Sequence, residues 1–151
     1  MEAVTLSDPA VVGYIEEHFV PWHVDHSRDT ALVTRFDVFM TPTQLYLDEK
    51  GREFYRTVAF LPPDRFLAYL ALGRGMVLFR TLRYQEAADV LDTVPRDLVE
   101  CGATPEAILF RGVALDKISG GHSNRKRSGL ELQERYPDSD WAWRSLVWRG
   151  Q

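Results

Sequence analysis

A chain of 151 residues has room for one ordinary domain, or for a small domain with a helical appendage. Its 45% hydrophobic and 26% charged side chains are those of a globular protein, and no apolar run approaches the roughly 20 residues that span a bilayer. The net charge of −4 is uneven, with ten Lys/Arg against seventeen Asp/Glu in residues 1–110, and an acidic body excludes nucleic acid as the main partner.

Met1-Glu2-Ala3 carries no basic leader, so a cytoplasmic location is expected. Asp8-Pro9 reads as a helix start, with Ser7 or Asp8 as N-cap and Pro9 in the first turn. Val11, Val12, Ile15 and Phe19 recur at helical spacing and predict a helix over Pro9 to His18. Phe19 to Asp25 is a β-type run, and Pro21 inside it predicts a strand with one unpaired side or a bulge. His23 and His26 flank Asp25, but on a strand His23 and Asp25 face one way and His26 the other, so no metal site is expected. His18 and His122 have no evident partners.

A short helix is predicted over Asp29 to Phe36, with Leu32 and Val33 inward. Then comes Met40-Thr41-Pro42-Thr43, a proline directly ahead of the apolar strand Thr43–Leu47. Proline cannot donate to a ladder, so it belongs at a strand's beginning, and its tertiary amide makes a cis bond affordable. Glu49-Lys50-Gly51 reads as a hairpin turn with Gly51 at positive φ, and Phe54–Val58 as the returning strand. Leu61-Pro62-Pro63-Asp64 starts a helix whose apolar face holds Phe66, Leu67, Leu70 and Leu78.

From about Gly73 onward the pattern is all helical. Gly73-Arg74-Gly75 is too short for a phosphate-cradling loop and sits inside a helical pattern. The single cysteine, Cys101, stands before Gly102 in a loop; Glu100 beside it works against a reactive thiolate, and one cysteine makes neither an internal disulfide nor a cysteine zinc site. Arg125-Lys126-Arg127 reads as a solvated helix face. Trp141 and Trp148 share a face that closes the core, while Trp143 points elsewhere.

Helix, strand Phe19–Val24, helix, Thr41-Pro42-Thr43 loop, hairpin through Gly51 and a helix after Pro62-Pro63 together resemble a thioredoxin-family domain of the subgroup that exchanges disulfides in bacteria. Gly75, Leu78, Tyr84, Ala87 and Leu91, then Phe110, Gly112, Ala114 and Leu115, resemble two degenerate tetratricopeptide units. The resemblance implies an α/β thioredoxin-like domain over 1–72 and an all-α tetratricopeptide-like tail over 73–151. It also implies a cis-proline loop that faces a Cys-x-x-Cys pair, which this chain lacks. Met1-Glu2-Ala3-Val4 resembles the end of the helix that carries those cysteines, and the strand before it, central in the family's sheet, is missing too.

Disulfide exchange needs a thiolate of depressed pKa and a second thiol, so the chain as written is not expected to turn disulfides over. Peptide binding survives in the resemblance: Met40, Thr41 and Pro42 are the expected contact residues, with Thr41's backbone pairing an extended partner segment. The partners expected are protein or peptide segments, with no cofactor and no metal. A vacant central position must be repaired, because each buried unpaired backbone group costs about 1–3 kcal/mol. Direct pairing of the flanking strands, a strand borrowed from a second copy, a symmetric homodimer, or a longer natural chain with its Cys-x-x-Cys upstream of Met1 all remain open.

Overall fold

In the computed structural model, which describes residues 1 and 3–149, a small α/β unit leads into a run of packed helices. Helix α1 spans Pro9–His18, as its spacing predicts. Asp8 caps it, its carboxylate accepting the N–H groups of Ala10 (2.9 Å) and Val11 (3.2 Å), and Pro9 occupies the first turn. Ahead of it the Thr5 N–H donates to the Met1 carbonyl at 2.8 Å, closing one helical turn. Of the expected helix end Met1–Val4, Glu2 lies outside the described residues.

The predicted strand Phe19–Val24 does not form. Phe19 is extended (φ −134°, ψ 158°), yet residues 19–25 join no ladder among the described residues. Pro21 removes one donor, and among the described residues no strand pairs with the stretch. An Asx turn ends it: the Asp25 carboxylate accepts the Ser27 hydroxyl (2.6 Å) and N–H (2.8 Å), which hold it below the usual carboxylate range. Helix α2, Thr30–Arg35, follows, with Leu32 and Val33 half-buried.

Strands β1 (Thr43–Leu47) and β2 (Glu53–Val58) pair antiparallel, Thr43 opposite Val58 and Tyr46 opposite Tyr55, with an irregularity between Tyr46 and Leu47. Gly51 turns the hairpin at φ +70°. Helix α3, Pro63–Arg80, runs unbroken through residues 72 and 73. Its Phe66 and Leu70 pack with Val11 and Tyr46 beneath the sheet. Its Ala68, Ala71, Leu72 and Met76 face the other way, against Leu91, Val94, Ala103 and Ala107. One helix therefore builds both cores, and the tail covers apolar surface the small sheet cannot.

Helices α4 (Tyr84–Asp97), α5 (Ala103–Ser119), α6 (Ser123–Arg135) and α7 (Asp140–Ser145) each pack on their predecessor, and α5 also reaches α3. Trp141 and Trp148 pack on the core of Ile108, Leu109 and Leu132, while Trp143 is exposed.

Helix α3 ends in a Schellman turn: the Leu82 N–H donates to Phe79 (3.2 Å) and the Arg83 N–H to Leu78 (2.9 Å). That geometry puts exposed Leu82 at φ 66°, where glycine is the ordinary occupant. Leu82→Gly is expected to raise stability by about 1 kcal/mol, read as an upward shift in the denaturant midpoint at unchanged slope. An unchanged or lowered midpoint would contradict this.

The two units are also tied by a polar contact. The Tyr55 hydroxyl on β2 donates to Glu106 Oε2 on α5 at 2.9 Å. Burial raises the Glu106 pKa above the ordinary 4.5, against the opposing effects of that hydrogen bond and of Arg144. A carboxyl whose folded pKa is raised binds its proton more tightly when folded, so its contribution is present at low pH and lost as pH rises above 4.5. Between acid and neutral pH, wild type should lose stability relative to Glu106→Gln in paired thermal melts. Parallel pH profiles would show that Glu106 ionises freely.

Candidate functional site

The loop between α2 and β1 is held from both ends. Arg56 on β2 forks onto the Glu53 carboxylate and donates through Nη2 to the Phe36 carbonyl at the end of α2 (2.8 Å). Asp37, one residue on, sits at φ 48°, and Ala59, just past β2, at φ 75°. The Ala59 N–H donates to the Pro42 carbonyl at 2.9 Å, and the Thr43 hydroxyl to the Met40 carbonyl at 2.7 Å. The Thr41–Pro42 bond is cis.

Those contacts leave Thr41 with a free backbone. Among the described residues its N–H and C=O have no protein partner, and the residue is exposed. Around it lie exposed apolar side chains: Phe39 (75% exposed) and Met40 on the loop, Val58 and Phe60 next to Ala59. Val4 and Leu6 are exposed too, and Thr5 between them donates to the Leu61 carbonyl at 2.6 Å, which brings them to the same end of the sheet. Met40, Thr41 and Pro42 thus stand at the head of β1, with the Thr41 backbone unpartnered among the described residues and exposed apolar side chains on the segments joined to that end of the sheet.

This apolar collar was not anticipated from the sequence. Its members are scattered over residues 4–60, and the β1–β2 ladder with the hydrogen bonds Ala59–Pro42 and Thr5–Leu61 gathers them. Arg56, which pins the loop's base, was missed for the same reason.

Other candidates stand apart from the loop. No group of three or more His, Cys, Asp or Glu among the described residues could hold a metal ion. His18 packs edge-on to Tyr14, ring centroids 4.5 Å apart. Cys101 is half-buried between α4 and α5, its N–H donating to the Thr104 hydroxyl (3.1 Å). Gly73 and Gly75 are packing residues: a Cβ on Gly75 would lie 2.6 Å from Leu91 Cδ2. No described helix is long and apolar enough to cross a membrane.

A family model described as a thioredoxin-like domain matches residues 1–74 of the 151. No curated protein and no solved structure matches the chain.

Proposed function

We propose that this chain, whose residues 1–74 form a thioredoxin-like domain, binds extended protein segments at Met40, Thr41 and Pro42 and does not itself turn over disulfides. The supporting observation is the exposed Thr41 backbone, unpartnered beside exposed Phe39 and Met40. An added strand satisfies such a donor and acceptor while its side chains meet the apolar collar. With one cysteine in 151 residues there is no second thiol to resolve a mixed disulfide. The helical tail, in this reading a tetratricopeptide-like extension, supplies further surface for the partner.

Reduced and alkylated insulin B chain is a suitable probe, followed by fluorescence anisotropy. Met40→Asp is expected to weaken its binding about tenfold, because a carboxylate is then desolvated in the apolar collar. The unmodified chain should leave the rate of insulin reduction by dithiothreitol unchanged. Absent binding, or Met40→Asp without effect, would overturn the binding reading; accelerated reduction would overturn the redox one.

A second reading is favoured by the edge of β1 that no described strand pairs, with the Phe19 ring edge-on to Tyr46 nearby. In it, a longer chain supplies the intervening strand and a Cys-x-x-Cys upstream of Met1, and the protein is a thiol–disulfide oxidoreductase. Translation of the DNA before the Met1 codon separates the two. An in-frame strand and cysteine pair supports the enzyme, and an in-frame stop overturns it.

A further inference from the structure

Where the α/β unit meets the tail, α1, α3 and α4 border an open cleft of about 350 Å³, within the roughly 300–1,000 Å³ typical of small-ligand sites. Tyr14 and His18 line it from α1, Arg74 from α3, and Asp89, Val90 and the cap residue Leu98 from α4. Arg74 is half-buried, and among the described residues no carboxylate lies within ion-pair distance of it. The acids around it are engaged elsewhere. Glu17 Oε1 lies 3.8 Å from His18 Nε2, the Glu86 carboxylate accepts Arg83, and Asp89 accepts Gln85 Nε2 at 2.9 Å. We infer that this cleft binds a small monocarboxylate with an apolar body, the carboxylate on Arg74 and Tyr14 and the body against Val90 and Leu98. The site uses no residue of the Met40–Pro42 loop and is independent of the peptide reading.

Three observations select that ligand. A guanidinium drawn partly out of water without a counter-charge is costly, and its planar fork matches a carboxylate through two parallel N–H donors. Beside Arg74 stands the Tyr14 hydroxyl, which burial keeps protonated, its pKa raised against the opposing pull of that guanidinium. Its O–H can therefore donate to the same anion. The Tyr14 ring is held in advance: the His18 ring meets it edge-on with centroids 4.5 Å apart, the Phe19 centroid lies at 6.4 Å, and Tyr14 packs on both neighbouring cores. Donors positioned before a ligand arrives lower the cost of binding it. Finally, Val90 and Leu98 give the cleft an apolar wall, while exposed Asp89 repels a second negative charge, so one carboxylate is favoured over two.

Isocaproate is the probe, with isocaproamide as its uncharged counterpart and acetyl-alanyl-leucine as a polypeptide C-terminus. An NMR titration should move the resonances of Tyr14, Arg74 and Leu98 saturably, and the acid should bind about tenfold more tightly than the amide. Arg74→Gln should abolish that difference and leave the weak amide binding as it was. Succinate should bind less tightly than isocaproate, because its second carboxylate meets Asp89. Tighter binding of the free acid or of the acetylated dipeptide supports the site in either case and names the source of the carboxylate. Equal binding of acid and amide, no saturable binding of either acid, or a difference that survives Arg74→Gln would overturn the proposal. If that variant fails to fold, the acid–amide comparison in the unmodified chain still decides, and shifts confined to residues outside the cleft would overturn it.

Discussion

Gly73→Ala should lower stability by about 2 kcal/mol, although alanine is the better helix former. In an exposed helix the substitution would gain about 1 kcal/mol. Here the new Cβ would stand 2.6 Å from Tyr46 Cγ and nearer still to Cδ1 and Cε1. The Tyr46 ring cannot swing aside. It is 4% exposed, with the Phe19 ring centroid at 6.0 Å and the Tyr55 centroid at 5.7 Å. Overpacking of this kind costs about 3 kcal/mol, which exceeds the propensity gain. Chemical denaturation should show the loss, and Gly73→Ala with Tyr46→Leu should be less destabilised than the sum of the two single changes. Additivity would mean that α3 relaxes away from β1 without cost.

What was legible in the sequence was what depends on near neighbours. The Asp8-Pro9 cap with Val11 and Ile15 marks α1 to the residue, and Gly51 marks the hairpin, because each signal acts within a few positions. The α/β unit with a helical tail was legible for the same reason. Phe19 to Asp25 shows the limit of such reasoning. Its composition favours a strand, but a strand exists only when another lies beside it, and composition is silent on that. The binding surface divides likewise. Met40, Thr41 and Pro42 are adjacent in sequence, while the exposed apolar residues near them come from segments joined by pairing across the hairpin and by the Thr5–Leu61 hydrogen bond.

The glycines make the point in energetic terms. Gly73 and Gly75 lie two residues apart on α3, yet a side chain at Gly73 would strike β1 and one at Gly75 would strike α4. Together they allow one helix to serve as a floor for the sheet and a wall for the tail. This also explains why the helical units need not stand alone: α3 gives them a ready-made first layer, and the cluster around Leu72 and Leu91 includes half-buried Tyr55 from the sheet.

Farther along the tail, Gly112→Ala should be costlier, with a loss of about 3 kcal/mol. A Cβ there would lie 2.8 Å from Ser128 Cβ, closer to Ser128 Oγ, and 3.1 Å from Arg125 Cα. The last of these is backbone, so no rotamer change clears it and α6 itself must shift. That movement is opposed by Asp116, one turn along α5, whose buried carboxylate accepts the N–H groups of Asn124 (2.9 Å) and Arg125 (3.2 Å) at the start of α6. Displacing α6 would stretch both bonds and leave buried groups short of partners. Ser128→Gly should restore part of the loss by removing the two side-chain atoms, leaving the Arg125 contact uncorrected. Thermal denaturation of the single and double variants tests this, with about 2–4 °C expected per kcal/mol in a chain of this size. Full rescue by Ser128→Gly would mean that the α6 backbone is free to yield and that the two bonds to Asp116 do not hold it in place.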